Sequence, residues 1–274
     1  MAGRSLITLT VALTGLVSSL SAAQPQSQAG LPLRILAGHA VLDDVFLNGK
    51  GPFRFFLDTG SQANFIDRKV AAQVGLAPNH RVDVQTRTGN VVLTGVDNVT
   101  ITVGDAVQAG QELLISPLDA VHRLSMSIDG ILGEAFLARF DYLLDLRHKR
   151  IVFGAAEPLG GTKSAVRISR TRMIANTSEG RLVIDSGASS VVLYRPISPA
   201  GGRVTFATMS GTAELGLERL PRLRFAGREF RDLMAAVAPV RSAKDDDSDG
   251  LLPTNLFRSV YVSHSGGFVV IDPQ

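Results

Sequence analysis

The chain carries one short pattern twice. "RFFLDTGSQANFI" ends an apolar run on Asp58, Thr59 and Gly60, and "RLVIDSGASSVVL" does the same with Asp185, Ser186 and Gly187, 127 residues further on. Taken singly, Asp-x-Gly is ordinary turn chemistry, because Asp hydrogen-bonds nearby backbone and Gly accepts φ > 0. Taken as a pair, two related halves that pack about a pseudo-twofold axis bring equivalent points face to face, as in an isologous dimer. Two carboxylates that meet there cannot both ionise easily, so the pair holds one proton over a wide pH range. A water between them is then poised for use: the ionised member accepts its proton while the protonated member polarises a carbonyl. Thr59 and Ser186 supply hydroxyls to tie the two turns together, and Gly60 and Gly187 let backbone N–H groups approach the carboxylates. This chemistry needs no metal and no cofactor. One asymmetry stands out: Ser61 follows the first triplet and Ala188 the second. A Ser hydroxyl on an ionised Asp lowers its pKa, which predicts Asp58 as the ionised partner and Asp185 as the protonated one.

The surrounding chain repeats as well. "DGILGEAFLARF" (129–140) and "DGLLPTNLFRSV" (249–260) follow their respective triplets, and each half closes on an apolar strand, "RIVFG" and "FVVID". Two landmarks in the same order are far more specific than a lone Asp-Thr-Gly. "GAAEPLGGTK" (154–163) reads as a linker from its Gly and Pro. "VDNVTITVGD" and the start of "RVTFATMSG" alternate with period two and read as strands. Helical pattern is scarce: "DRKVAAQVGL" from Asp67 predicts one short helix with a Gly stop, and "EAFLARF" and "TNLFRSV" predict another per half. The stretch after the second triplet, "LYRPISPAGG", is broken by Pro196 and Pro199. Many short strands with little helix predict an all-β fold of barrels or sandwiches. Asp129 and Asp249 read as turn residues, and Arg54 and Arg181 as outward strand residues. "KDDDSDG" (244–250) lacks the spacing and closing Glu of a calcium loop and reads as solvated.

Composition narrows the chemistry further. Residues 1–23 have an early Arg4, an apolar stretch and a small-x-small end at Ser21-Ala22-Ala23, the layout of a secretory signal peptide. Removing 23 of the 274 residues leaves 251, enough for two small domains. With no Cys the chain forms no disulfide and offers no thiolate zinc site. Its five His form no H-E-x-x-H, and there is no G-x-S-x-G and no P-loop. The net charge of +3 is spread rather than clustered, so nucleic acid is not an expected partner.

On these motifs the sequence resembles the aspartic proteases, both retropepsin-like and pepsin-like. The apolar-Asp-Thr/Ser-Gly turn is similar to their catalytic motif, and Ile131-Leu132-Gly133 resembles the segment that packs behind it. The resemblance implies an acid-protease fold with two related β-barrel lobes, residues 31–154 and 164–274, joined by a linker at 155–163. It implies a catalytic pair Asp58 and Asp185, supported by Thr59, Gly60, Ser61, Ser186 and Gly187. It further implies a cleft for an extended polypeptide under hairpin flaps at Thr88, Gly89 and Asn90 and at Ser210 and Gly211. Halves of this size resemble retropepsin-like subunits fused in one chain, so a monomer with an internal pseudo-dimer is expected. Two departures are visible. Pro253 stands where the family has Gly, which predicts different packing behind Asp185, and the first flap lacks the Tyr of pepsin-like enzymes. The expected activity is that of an aspartic endopeptidase, secreted or periplasmic, with no membrane contact once the leader is removed. The alternative is a weak or inactive protease-like module that binds peptides.

Overall fold

The computed structural model describes residues 30–86, 89–122, 127–198, 201–208, 211–239 and 247–272. The leader-like residues 1–23, Thr88 and Ser210 lie outside that set.

The internal repeat of the sequence is a repeat of topology. The first half forms an eight-stranded sheet in the order Arg34–Leu36, His39–Leu47, Lys50–Leu57, Gly130–Leu132, Asn64–Asp67, Ala106–Ser116, Gly89–Val103 and His80–Thr86. The second half repeats it strand for strand: Arg167–Ser169, Arg172–Thr177, Gly180–Asp185, Gly250–Pro253, Val191–Tyr194, Arg228–Ala238, Gly211–Phe225 and Gly202–Thr208. Parallel pairs fall at the same places in both. The strand that ends on each Asp runs parallel to the Gly-apolar-apolar strand, and the strand after each triplet runs parallel to the long eleven-residue strand. Gly130 and Gly250 open the inserted strands because a Cβ there would collide with the Phe65 and Val192 carbonyls respectively.

A third sheet of six strands joins the halves. Tyr142–Asp145 from the first pairs antiparallel with Ser259–Ser263 from the second, in the register Tyr142↔Val262 to Asp145↔Ser259. The outer strands are Arg150–Phe153 and Leu31–Pro32 on one side, Phe268–Ile271 and Thr162–Ala165 on the other. Asp141 adds a polar clasp, accepting from the Ser265 hydroxyl at 2.6 Å and the Ser263 hydroxyl at 2.9 Å. The main apolar core is continuous across both halves and includes Phe55, Leu57, Leu132 and Tyr142 with Ile184, Leu252, Val260 and Val262. Smaller clusters around Phe56 and Leu114, and around Val192 and Ala236, lie on the other face of each lobe's sheet.

The helix Arg68–Gln73 forms where the sequence predicts it. Asp67 caps it by accepting from the Lys69 N–H at 2.8 Å, and Gly75 leaves it at φ +73°. The second half has no counterpart among the described residues, as Pro196 and Pro199 require. "EAFLARF" gives the helix Glu134–Leu137, and "TNLFRSV" gives only the 3-10 turn Thr254–Leu256. No helix among the described residues is long and apolar enough to cross a membrane.

Candidate active site

Each triplet sits where an apolar strand leaves the core, and the two meet across the boundary between the lobes. Their contacts are reciprocal. Thr59 Oγ1 donates to the Ile184 carbonyl at 2.8 Å and accepts from the Ser186 N–H at 2.9 Å. Ser186 Oγ donates to the Leu57 carbonyl at 2.8 Å and accepts from the Thr59 N–H at 3.1 Å. Both residues are buried, so four hydrogen bonds shielded from water fix one turn against the other. A residue with a β-hydroxyl is needed at each position, which explains Thr in one copy and Ser in the other.

This clasp brings the Asp58 and Asp185 carboxyls close together, since a Cβ on Gly187 would lie near both. The glycines mark how close the approach is. A Cβ on Gly60 would lie 2.5 Å from Asp185 Oδ2, and one on Gly187 would lie 2.5 Å from Asp58 Oδ1. Neither glycine has positive φ. Gly is required here for room beside the opposing carboxylate, not for a left-handed turn.

Both acids are shifted upward. Burial pushes the Asp58 carboxyl well above its ordinary range, and the Asp185 charge pushes it further, opposed by the Gly60 and Ser61 N–H groups. Burial also raises Asp185, opposed first by the Gly187 N–H, which donates to its Oδ1 at 2.6 Å. Both carboxyls are thus pushed up, so the pair favours holding a proton. The Ser61 hydroxyl is not on Asp58. It donates to the Ala63 carbonyl at 2.9 Å, and Ser61 supports Asp58 only through its N–H, at 3.0 Å.

Behind each turn the lobes differ by one matched exchange. In the first, the Gly133 N–H donates to Asn64 Oδ1 at 3.0 Å, and Asn64 Nδ2 donates to Gln111 Oε1 at 3.1 Å. In the second, Pro253 holds the same register against Asp185 but has no N–H, and Val191 occupies the place of Asn64. A missing donor faces a missing acceptor, so Pro253 leaves no buried polar group orphaned. The packing differs by that bond while the strand path is kept. Asn64 opens the strand Asn64–Asp67 as a buried polar residue. Only its alignment with Val191 shows it to be a partner for Gly133, and the sequence reading did not use that signal.

Several other residues are placed plainly. Asp129 accepts from the Arg54 N–H at 2.8 Å, and Asp249 does the same for Arg181 at 2.8 Å, so both pin the strands leading to the triplets. The Arg54 side chain goes to Asp43 at 2.6 Å and the Arg181 side chain to Asp249. Asp247 receives Arg172 at 3.2 Å. In the hairpins predicted as flaps, Gly89 pairs with Thr86 and Gly211 with Thr208, and Asn90 follows in register with Gln85. The short helix Asp119–His122 of the first lobe comes beside the second lobe's hairpin.

One buried cluster was not anticipated. Glu134, directly after Gly133, is fully buried, and its Oε2 lies 3.1 Å from His264 Nε2 of the second lobe without the alignment of a hydrogen bond. The Tyr142 hydroxyl is also buried with no partner. Burial lifts the Glu134 carboxyl above its ordinary range against the pull of His264.

Doubled lobes, a shared sheet and paired carboxylates at the junction define an all-β acid-protease fold. Residues 44–136, the stretch that holds Asp58 and Gly133, match the family model described as aspartyl protease. A similar solved structure is that of a retropepsin-like aspartic protease from Rickettsia conorii, 17% identical, with a TM-score of 0.32, covering 44% of this chain and 87% of that one. No curated protein matches the chain. The family match supports protease chemistry in general.

Proposed function

We propose that the protein is an aspartic endopeptidase that hydrolyses peptide bonds with one water activated by Asp58 and Asp185. The charged member of the pair takes a proton from water as the water oxygen attacks the scissile carbonyl carbon. The protonated member gives its proton to the carbonyl oxygen, and the tetrahedral diol then collapses with a proton passed to the leaving nitrogen. Thr59 and Ser186 keep the carboxylates opposed, and Gly60 and Gly187 leave the space they need. The hairpins at Gly89 and Gly211 close over a substrate held extended, since an edge-on peptide pairs through its backbone. No cofactor takes part in this scheme. The leader-like residues 1–23 support an exported protein, and the intrachain pairing of the two triplets supports a monomer.

The observation that carries this reading is the reciprocal Thr59–Ser186 clasp with the two carboxyls close together beside it. The matched exchange of Asn64 and Gly133 for Val191 and Pro253 removes the main reason to read the second lobe as degenerate. Cleavage of a peptide library across pH, by wild type and by Asp58→Asn and Asp185→Asn, tests it. Both variants are expected to lose activity by several orders of magnitude. Cleavage that survives either substitution refutes the pair, and a wild type that binds peptides but cleaves none at any pH replaces the enzyme with a binding module.

A further inference from the structure

His80 opens the edge strand His80–Thr86 and pairs with Gly95 on the strand Gly89–Val103. A Cβ on Gly95 would overlap the imidazole, so the glycine makes room for the ring. Nε2 lies 2.6 Å from Glu112 Oε1, on the strand Ala106–Ser116. Nδ1 lies 2.6 Å from Asn79 Oδ1 and 3.2 Å from Asp97 Oδ2. The Asp97 N–H donates to that Asn79 atom at 3.4 Å, which identifies it as the amide oxygen. His80, Asp97 and Glu112 thus converge, with one ligating atom from each within 4.8 Å of the others. Both ring nitrogens look onto oxygens that only accept. A neutral imidazole has one N–H and one lone pair, so one nitrogen must point its lone pair at an oxygen. That side of the ring calls for a positive charge, either a proton or a metal ion.

The partners of each nitrogen differ in kind. Glu112 alone faces Nε2, and a carboxylate that accepts the far N–H is the usual outer partner of a metal-bound imidazole. Nδ1 then turns its lone pair to two oxygens at once. Donors each about 2.1 Å from one zinc ion stand about 3.0–3.4 Å apart. Asp97 Oδ2 has that spacing from Nδ1, and Asn79, whose oxygen is closer, is an exposed residue with space to draw back. One imidazole nitrogen with carboxylate and amide oxygens suits Zn²⁺ better than Ca²⁺ or Mg²⁺, which prefer oxygen alone. The second lobe exchanges the whole group. Gly202 pairs with Leu217 where His80 pairs with Gly95, and Leu217 pairs with Ala236 as Gly95 does with Leu114. By that register Arg219 takes the place of Asp97 and Met234 the place of Glu112. The ring, the room for it and both carboxylates are present together in one lobe and replaced together in the other.

We propose that His80 Nδ1, Asp97 and Asn79 bind one Zn²⁺ at the base of the first hairpin, with Glu112 as the positioning residue that holds the Nε2 hydrogen. Water completes the coordination, since the side chains of His80 and Asp97 are 28% and 49% exposed. The ion fastens the start of the edge strand to the strand Gly89–Val103, and Glu112 fastens the ring to the strand Ala106–Ser116. Neither Asp58 nor Asp185 takes part, so zinc binding here is independent of peptide cleavage.

Calorimetric titration of the metal-free full chain with Zn²⁺ tests this without turnover. One ion per chain is expected to bind. His80→Gln and Asp97→Asn are each expected to weaken binding by about tenfold or more, and Glu112→Gln by about tenfold through the loss of its charge behind the ring. His148→Gln is the control: His148 meets Asp145 at 2.8 Å elsewhere on the first lobe, and its loss is expected to leave the affinity unchanged. Imidazole nitrogen NMR of wild type should show zinc shifting His80 Nδ1 while Nε2 keeps its hydrogen. The melting midpoint should rise with Zn²⁺ in wild type and not in His80→Gln. No binding at millimolar Zn²⁺, binding that survives His80→Gln, binding lost in His148→Gln, or coordination through Nε2 overturns the site. A His80 ring that responds to pH but not to Zn²⁺ identifies a proton alone as the missing charge and overturns it equally.

Discussion

Replacing Asn64 with Val makes the first lobe resemble the second at one buried position, and it is expected to destabilise the protein. Asn64 has no exposed surface and makes two hydrogen bonds, accepting from the Gly133 N–H at 3.0 Å and donating to Gln111 at 3.1 Å. Val removes both and leaves the Gly133 N–H buried without an acceptor. A buried group deprived of its partner costs about 1–3 kcal/mol, and Gln111, itself 6% exposed, loses a partner too. The apolar gain of Val does not offset this, so a net loss of about 2–4 kcal/mol is expected. For a chain of this size that lowers the melting midpoint by about 4–16 °C. The reverse substitution, Val191→Asn, is expected to cost a similar amount, because Pro253 offers no N–H and the new amide is buried among apolar neighbours. Equilibrium denaturation by urea, followed by far-ultraviolet circular dichroism, measures both. If either variant matches wild type in stability, the matched-exchange account of Pro253 is wrong. Activity should fall in Asn64→Val beyond the loss of folded protein, because Gly133 also positions the strand behind Asp58.

Two further outcomes follow from the clasp and from the buried acid. Ser186→Ala removes two buried hydrogen bonds between the lobes and is expected to cost about 1–3 kcal/mol and to lower kcat more than it raises KM; unchanged kinetics in the folded variant would show that the clasp does not align the carboxylates. Glu134 has a raised folded-state pKa, so its contribution to stability is complete below the ordinary Glu range and is lost as pH rises through the folded value. Glu134→Gln is therefore expected to flatten that slope and to stabilise the protein at pH 7 by about 1–2 kcal/mol; a variant less stable than wild type at pH 7 would mean that the contact with His264 outweighs the burial of the charge.

The doubling of the fold was legible because it is written in local chemistry. An apolar run ending on Asp-Thr/Ser-Gly must surface where it does, and a Gly-apolar-apolar strand must fit between two others. Both demands recur in each half, and the strand order recurs with them. The helix after Asp67 and the lack of a counterpart after Tyr194 among the described residues were also readable, because caps and Pro act within a few residues. The environment of the acids was not readable. Ser61 follows Asp58 closely in sequence, but its hydroxyl turns to Ala63, and both carboxyls are raised first by burial that only the packed lobes create. Nor did any local signal mark Glu134 and His264 as neighbours, since 130 residues separate them and only the shared six-stranded sheet brings them together. The sequence by itself determined that there would be two carboxylates, each at the end of a buried strand and beside a glycine. Tertiary structure decided that both carboxyls are buried together and raised, because a pKa is set by burial and by groups that arrive from distant parts of the chain.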